Sequence, residues 1–292
     1  MHALIQGVLL GVLTGGVYAL MASGQTLIFG IMKVINLAQG AMVILAAYLA
    51  YQLFVSFGVD PFLAIPVTTA LMFALGVGVQ VAFLRPLRRE DKVELSLLVT
   101  FAVALLIEGG MSVTWKTTHR SINTGYANDS WTLFGYQITV VRFWAFVLSL
   151  AALGVLVLLL HRTRFGRAVR ATVQNPDAAL LLGVDAQRVS ALGFGLGAAT
   201  AAAAGSIYGL LYPFNSGSHY DLISRLLSIV VLGGMGSIGG AVVAAVIVST
   251  SSAVVASTVS PAWSEMTFFV ILILVLLIRP QGLFGTVGRG AI

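Results

Sequence analysis

The sequence predicts an all-α fold, a polytopic transmembrane helical bundle of about eight to nine spans, with two broken helices in corresponding places of two halves. Of 292 residues, 59% are hydrophobic and only 9% charged, whereas soluble domains carry about 25% charge. So few Lys, Arg, Asp and Glu cannot clothe a water-facing surface, so the bilayer must be the solvent. The apolar residues also gather in runs of spanning length, since a hydrocarbon core of roughly 30 Å takes about 20 helical residues to cross. No stretch leaves room for a soluble domain of ordinary size, on the order of 100 residues, so residues 1–292 read as a single transmembrane domain.

The first run, residues 4–20, is expected to be a retained span rather than a signal peptide, because no basic segment precedes it and no cleavage signal follows. Gly7, Gly11 and Gly15 recur at every fourth position, a face that lets another backbone approach closely. A second run, 26–57, is too long for one simple span and is interrupted by Lys33-Val34-Ile35-Asn36-Leu37-Ala38-Gln39-Gly40. Residues 62–84 form a third span after the turn Gly58-Val59-Asp60-Pro61. Four cations then fall within residues 85–92, which places this loop inside by the positive-inside rule. Residues 95–115 cross outward to a polar segment, 116–140, that holds two cations and is flanked by Trp115, Trp131 and Trp144 as interfacial anchors. Residues 141–160 return inward.

The longest charged loop, 161–188, carries five arginines and is expected inside, on both charge and parity. Residues 189–212 cross outward, with small residues at Gly193/Gly197 and Gly205/Gly209. The run 222–255 is again too long and is broken by Gly233-Gly234-Met235-Gly236-Ser237-Ile238-Gly239-Gly240. Residues 263–278 are the last span, stopped at Arg279-Pro280-Gln281-Gly282. With each arm of the second break counted, nine crossings put the N-terminus outside and the C-terminus inside.

The two breaks stand 200 residues apart in matching halves. In lipid, backbone freed from helical bonding is tolerated where it lines a cavity, so paired breaks point to a transport path. Asn36, Gln39, Gly40, Gly234, Gly236, Ser237, Gly239 and Gly240 are its candidate residues; ordinary short surface loops are the other reading. Asn36 and Ser237 are both helix-capping types, each expected to start a helix whose N–H groups face the break. Glu108, within the span 95–115, either faces that path, meets a structural partner or reaches water at the outer end.

In the inner loop, Asn175 can cap a helix, Pro176 suits its first position, Asp177 complements the macrodipole and Gly183 can end it left-handed. The result is a two-turn helix over 176–182 that carries Ala178 and Leu181. A helix this short is marginal in water, so its leucines need cover, either from this chain's own membrane domain or from another protein.

Several chemistries are excluded. The net charge of +6 sits in two loops rather than on one face, which argues against nucleic acid. There is no Cys, and His2, His119, His161 and His219 lie far apart, so no metal site is expected. Gly234, Gly236 and Gly239 match G-x-G-x-x-G, but both flanks are apolar membrane runs rather than a strand and a helix of a soluble unit. None of the three lysines, Lys33, Lys92 and Lys116, stands in a P-loop, and no paired acids or Ser/His grouping suggests catalysis.

Four stretches resemble LivH-type permeases, the membrane subunits of branched-chain amino acid ABC importers. They are residues 25–40 (QTLIFGIMKVINLAQG), 170–179 (RATVQNPDAA) followed by 182–184 (LGV), 231–238 (VLGGMGSI) and 279–285 (RPQGLFG). They come in order over nearly the whole chain, with departures at Gln39 and Gly239, where many relatives carry His and Pro. The resemblance implies a non-catalytic permease subunit of the bacterial inner membrane. Its partners would be a homologous second permease subunit, two ATPase subunits holding ATP and Mg, and a periplasmic solute-binding protein, with lipid around it and no cofactor on this chain. The helix over 176–182 would be the coupling helix. The solute would be a branched-chain or other hydrophobic amino acid; urea, short amides and aromatic carboxylates are carried by similar permeases. From another class, a secondary transporter or solute channel without an ATPase is the alternative reading.

Overall fold

The structure is a computed structural model that describes residues 2–87, 92–127, 129–133 and 135–285. The remainder of the first basic loop, 88–91, and of the C-terminal segment, 286–292, lies outside the described residues. The elements in chain order are α1 (His2–Met32), α2 (Gln39–Phe57), α3 (Pro61–Val79, continued by a π-helical turn Gln80–Leu84) and α4 (Lys92–Trp115). A β-hairpin of β1 (Ser130–Leu133) and β2 (Tyr136–Thr139) follows, then α5 (Val140–Arg162), α6 (Arg164–Gln174), α7 (Pro176–Leu181) and α8 (Ala186–Leu211). After a 3₁₀ turn at Ser216–Ser218 come α9 (His219–Gly233), α10 (Ile238–Thr258) and α11 (Pro261–Ile278).

Among the described residues, eight helices are long and apolar enough to span a membrane; the short α9 makes a ninth passage. This is a multi-pass membrane protein. One expectation is corrected at the start. The run 4–20 and the first arm of the broken segment are a single 31-residue helix, because Ser23, Gly24 and Gln25 are buried within it and Gly24 seats against α8, where a Cβ would lie 2.0 Å from Thr200 Oγ1.

Contacts sort the connections to two ends of the bundle. At one end the N-terminus meets the hairpin, through a hydrogen bond between the His2 ring and the Gly135 carbonyl and another donated by Gln6 to Gln137 O. The Tyr126 hydroxyl donates to Asp60 at 2.6 Å, and burial together with that carboxylate pushes the phenol up to about 12. Asp60 also caps α3, accepting from Phe62 N at 2.9 Å. Arg120 bridges Phe214. The hairpin, pairing Ser130 with Thr139 and Leu133 with Tyr136, was not legible in the polar segment 116–140. At the opposite, basic end lie Arg85, the loop 163–185, the turn 234–237 and residues 282–285, which hydrogen-bond the end of α9 (Leu283 N to Leu232 O, Phe284 N to Gly233 O). α1, α3, α5, α9 and α11 run toward the basic end, and α2, α4, α8 and α10 run away from it.

Helix packing follows the small residues. α1 lies antiparallel on α10 along its glycine stripe: a Cβ on Gly7 would meet Val254 Cα at 3.0 Å, and one on Gly11 would meet Thr250 Cα at 2.4 Å. α8 is the central helix, with most of its length buried. Its pair Gly193/Gly197 receives Ile31 and Ile28 of α1, whereas Gly205/Gly209 receives Val43 and Ala47 of α2. Without a water-driven hydrophobic effect between helices, close contact of this kind is the main attractive term. α11, by contrast, buries only Phe268 and stands at the periphery.

Two outcomes follow. A Gly11→Leu substitution forces backbone apart and should lower the thermal unfolding midpoint in detergent by an amount equivalent to roughly 1–3 kcal/mol or more. Gly78→Leu, where a Cβ has open space, should leave it unchanged. In intact cells, cysteine at the exposed Asn123 should react with an impermeant thiol reagent and cysteine at the exposed Asn175 should not, the two positions lying at opposite ends.

Candidate functional site

The first break is a sealed polar joint. α1 stops at Lys33, which takes φ +57, and α2 starts at Gln39. Between them the helical ladder is interrupted: Gln39 N turns back to Asn36 O at 3.3 Å, and side chains partner Leu37 N, Ala38 N and Ile35 O. Asn36 Oδ1 accepts from Ala38 N at 3.1 Å, and its Nδ2 donates to Gln39 Oε1 at 3.2 Å. Gln39 Nε2 in turn donates to Gly197 O of α8 at 3.2 Å. The hydroxyl of Thr100, from α4, accepts from Leu37 N at 3.2 Å and lies 3.3 Å from Ile35 O. Asn36 and Gln39 are fully buried. Asn36 therefore forms a local turn instead of capping α2, whose N-cap is Ala38 with no side-chain cap; its carbonyl oxygen is already spent on the residue two positions on. Gly40 is a packing residue, since a Cβ there would stand 2.6 Å from His219 O.

The second break differs. Gly234 and Gly236 adopt φ +95 and +92, and Ser237 Oγ caps α10 by accepting from Gly240 N at 3.1 Å. Gly240 packs on Gly233, with a Cβ 2.0 Å from its carbonyl oxygen, while Gly239 faces open space. The two breaks approach where Gly30, at the end of α1, faces Gly236: a Cβ on Gly30 would lie 3.8 Å from Gly236 Cα. Gly236 opens on a cavity of about 300 Å³ shared with Gly30, His161 and Arg170. The structure thus puts Asn36, Gln39 and Gly40 together in one closed joint and Gly234, Gly236, Ser237, Gly239 and Gly240 together at the basic end, beside the charged loop.

That loop holds the expected short helix and one more. α6 is amphipathic, with Arg164, Arg167 and Arg170 on it and Val169 and Thr172 buried; Arg170 donates to Leu160 O. In α7, Asn175 Oδ1 accepts from both Asp177 N and Ala178 N at 3.0 Å, with Pro176 at the first position. The helix ends in a Schellman arrangement at Gly183 (φ +81), with Gly183 N donating to Leu180 O and Val184 N to Ala179 O. Ala179 is 2% exposed and anchors the helix, but Leu180, Leu181 and Leu182 are 58%, 89% and 82% exposed. Cover by this chain's own membrane domain, the alternative left open by the sequence, is not what this arrangement provides. Pro176 and Asp177 also line a cavity of about 400 Å³ together with Lys33, Gln80, Arg85 and Gln187, so the start of α7 and the end of α1 face the same cavity, while α7 itself packs on α6 and α8.

Glu108 lies near the hairpin end of α4, a quarter exposed, accepting from Tyr220 Oη at 2.8 Å and 3.8 Å from His219 Nε2. It reaches the first break through His219, whose carbonyl packs on Gly40; among the described residues, none of its contacts is with the second break's residues. Sequence reading missed Thr100, and it missed a charged constellation in the hairpin-end half of the bundle. There Arg225 of α9 pairs with Glu265 of α11 at 3.0 Å and donates to Tyr18 Oη at 3.2 Å. Arg142 of α5 lines the same cavity. The signal was present: Arg225 and Glu265 are ionisable residues inside or at the edge of apolar runs, which membrane helices carry at a cost.

The family model for the permease component of branched-chain amino acid transport systems matches residues 7–276. The chain is 28% identical to the high-affinity branched-chain amino acid transport system permease protein BraD of Pseudomonas aeruginosa, over 96% of this chain and 95% of that protein. It is 28% identical to the LivH protein of the same description from Escherichia coli, over 94% and 93%. It is 27% identical to a probable LivH of Methanocaldococcus jannaschii, over 91% and 88%. No solved structure matches it.

Replacing Thr100 by Val keeps the volume but leaves Leu37 N–H without its partner in the sealed joint, at a cost of about 1–3 kcal/mol. The thermal midpoint of T100V in detergent should fall accordingly. Thr114→Val, an exposed position whose hydroxyl bonds only its own helix, should match the wild type.

Proposed function

This chain belongs to the branched-chain amino acid transport system permease family, and from that premise we propose that it is a membrane-spanning subunit of an ATP-driven importer in a bacterial inner membrane. Its solutes are branched-chain or other hydrophobic amino acids. It is not itself an enzyme: ATP and Mg are handled by two separate ATPase subunits, a homologous second permease completes the pathway, and a periplasmic solute-binding protein delivers the solute.

The observation that carries this reading is α7. A six-residue helix secured at both ends by its own caps presents three exposed leucines at the basic end. Such a helix is too short to persist without support, and exposed leucines there are suited to a groove on another protein. α7 packs on α6 and α8, so a push on it would be felt in α8 and, through the bond from Gln39 to Gly197 O, at the joint and α2. Rigid caps favour this role, because a frayed helix would absorb the displacement.

Co-purification and ATPase assays test the reading. The chain alone should hydrolyse no ATP, and the assembled complex should do so with stimulation by the loaded binding protein. Leu181→Asp puts a carboxylate where a leucine is buried in the complex, a desolvation cost of several kcal/mol. It should release the ATPase or abolish the stimulation while membrane insertion is kept. An L181D complex that co-purifies and transports as the wild type does would remove α7 from the coupling role.

A further inference from the structure

The hairpin-end half of the bundle contains a cavity of about 390 Å³ between α1, α5, α9, α10 and α11, whose lining includes Tyr18, Arg142, Arg225, Ser249, Glu265 and Phe268. Ser249 lies nine residues inside the end of α10, roughly 13 Å along the helix, so the cavity reaches well into the span. Its volume falls in the range of small-molecule sites, about 300–1,000 Å³.

The charges in it do not cancel. Arg225 is neutralised by Glu265 at 3.0 Å, braced by Tyr18 Oη at 3.2 Å, and its guanidinium lies 5.5 Å from the Phe268 ring centroid. Phe268 is itself held edge-on by Tyr18. Arg142 has no hydrogen-bond or ion-pair partner among the described residues, leaving one uncompensated cation on the cavity wall. Ser249 is 4% exposed, and its hydroxyl oxygen has no partner. Arg142, on the first turn of α5, stands at the hairpin-end mouth of the cavity, and deeper in, a buried hydroxyl without a hydrogen bond is costly. Together these groups set the chemistry that would suit the cavity: an oxyanion for Arg142, a further polar group for Ser249, and apolar bulk against Phe268.

We propose that this cavity binds the oxyanion head of a small amphiphile, and that its ligand is an amino acid in transit, held by its carboxylate on Arg142. The identity of the ligand rests on the permease reading above; the oxyanion chemistry rests on the cavity alone. A phospholipid phosphate presents the same chemistry and is the other source.

Modification of Arg142 by phenylglyoxal, read by mass spectrometry of the full chain purified in a phosphate-free maltoside detergent, tests the site without requiring transport. L-leucine should slow modification of Arg142, L-leucinol, which lacks the carboxylate, should not, and Arg225 should stay unreactive in its ion pair. Protection by added phosphatidylglycerol but not by leucine would overturn the amino acid as ligand and assign the oxyanion to lipid; no protection by either would overturn the site. In the assembled complex supplied with saturating loaded binding protein, Arg142→Gln should lower the rate of leucine uptake about tenfold, the worth of one charge-assisted contact, with Arg142→Lys intermediate. Unchanged uptake by R142Q would also count against the site. Protection of Arg142 by leucine in a complex that takes up no amino acid would leave the site standing and sink the importer reading instead.

Discussion

Thr100 reaches from α4 to the backbone of the first break, accepting from Leu37 N and lying within hydrogen-bond distance of Ile35 O, and much of the architecture follows from the need for that contact. In a hydrocarbon solvent no water is available to satisfy a freed N–H or C=O, and each one left alone costs about 1–3 kcal/mol or more. A helix can therefore be interrupted inside the bundle only where other side chains close the accounts of its backbone. Asn36, Gln39 and Thr100 do so, and in doing so they tie α1, α2, α4 and α8 into one unit. The joint is closed for the same reason that it is polar.

The joint also determines how α8 is used. α1 descends along it as far as Gly193, and α2 climbs back along it from Gly205. Small residues on α8 let both helices come within backbone contact, and the break lies where one neighbour gives way to the other. α1 repeats the device on another face, where the glycine stripe receives the backbone of α10. The two broken helix pairs are thus joined through α1 and α10, and their breaks meet at Gly30 and Gly236, next to the charged loop. A displacement of α6 and α7 has a short mechanical route to both.

Charge is distributed by a different logic at the two ends. At the basic end the cations of the long loop lie at the membrane surface, where snorkelling and interfacial water make them cheap. In the other half Arg142, Arg225 and Glu265 line a cavity, because an ionisable group within a span must face a partner or an enclosed polar space. That the two populations differ in setting explains why net charge alone carried little information about either.

Composition settled the solvent, and the lengths of the apolar runs settled the number of passages. The caps at Asn175, Gly183 and Ser237 were legible because each acts on backbone groups within a few residues of itself. The glycine stripe of α1 announced a close neighbour, though not that the neighbour would be α10. Interactions between residues far apart in sequence were closed to such reading. Nothing local distinguishes Thr100 from any other threonine in a span; its role depends on α4 passing the break, 63 residues removed from Leu37. The same holds for the fusion of residues 4–32 into one helix, since Gly24 is kept helical by the surface of α8. Asn36 looked like a cap and became part of a joint once Gln39 and α8 stood beside it. Arg142, Arg225 and Glu265 share a cavity because three helices distant in the chain converge there. Local hydrogen bonding and solvent partition are written in neighbouring residues, whereas the pairing of polar groups in lipid depends on which helices the path of the chain brings together.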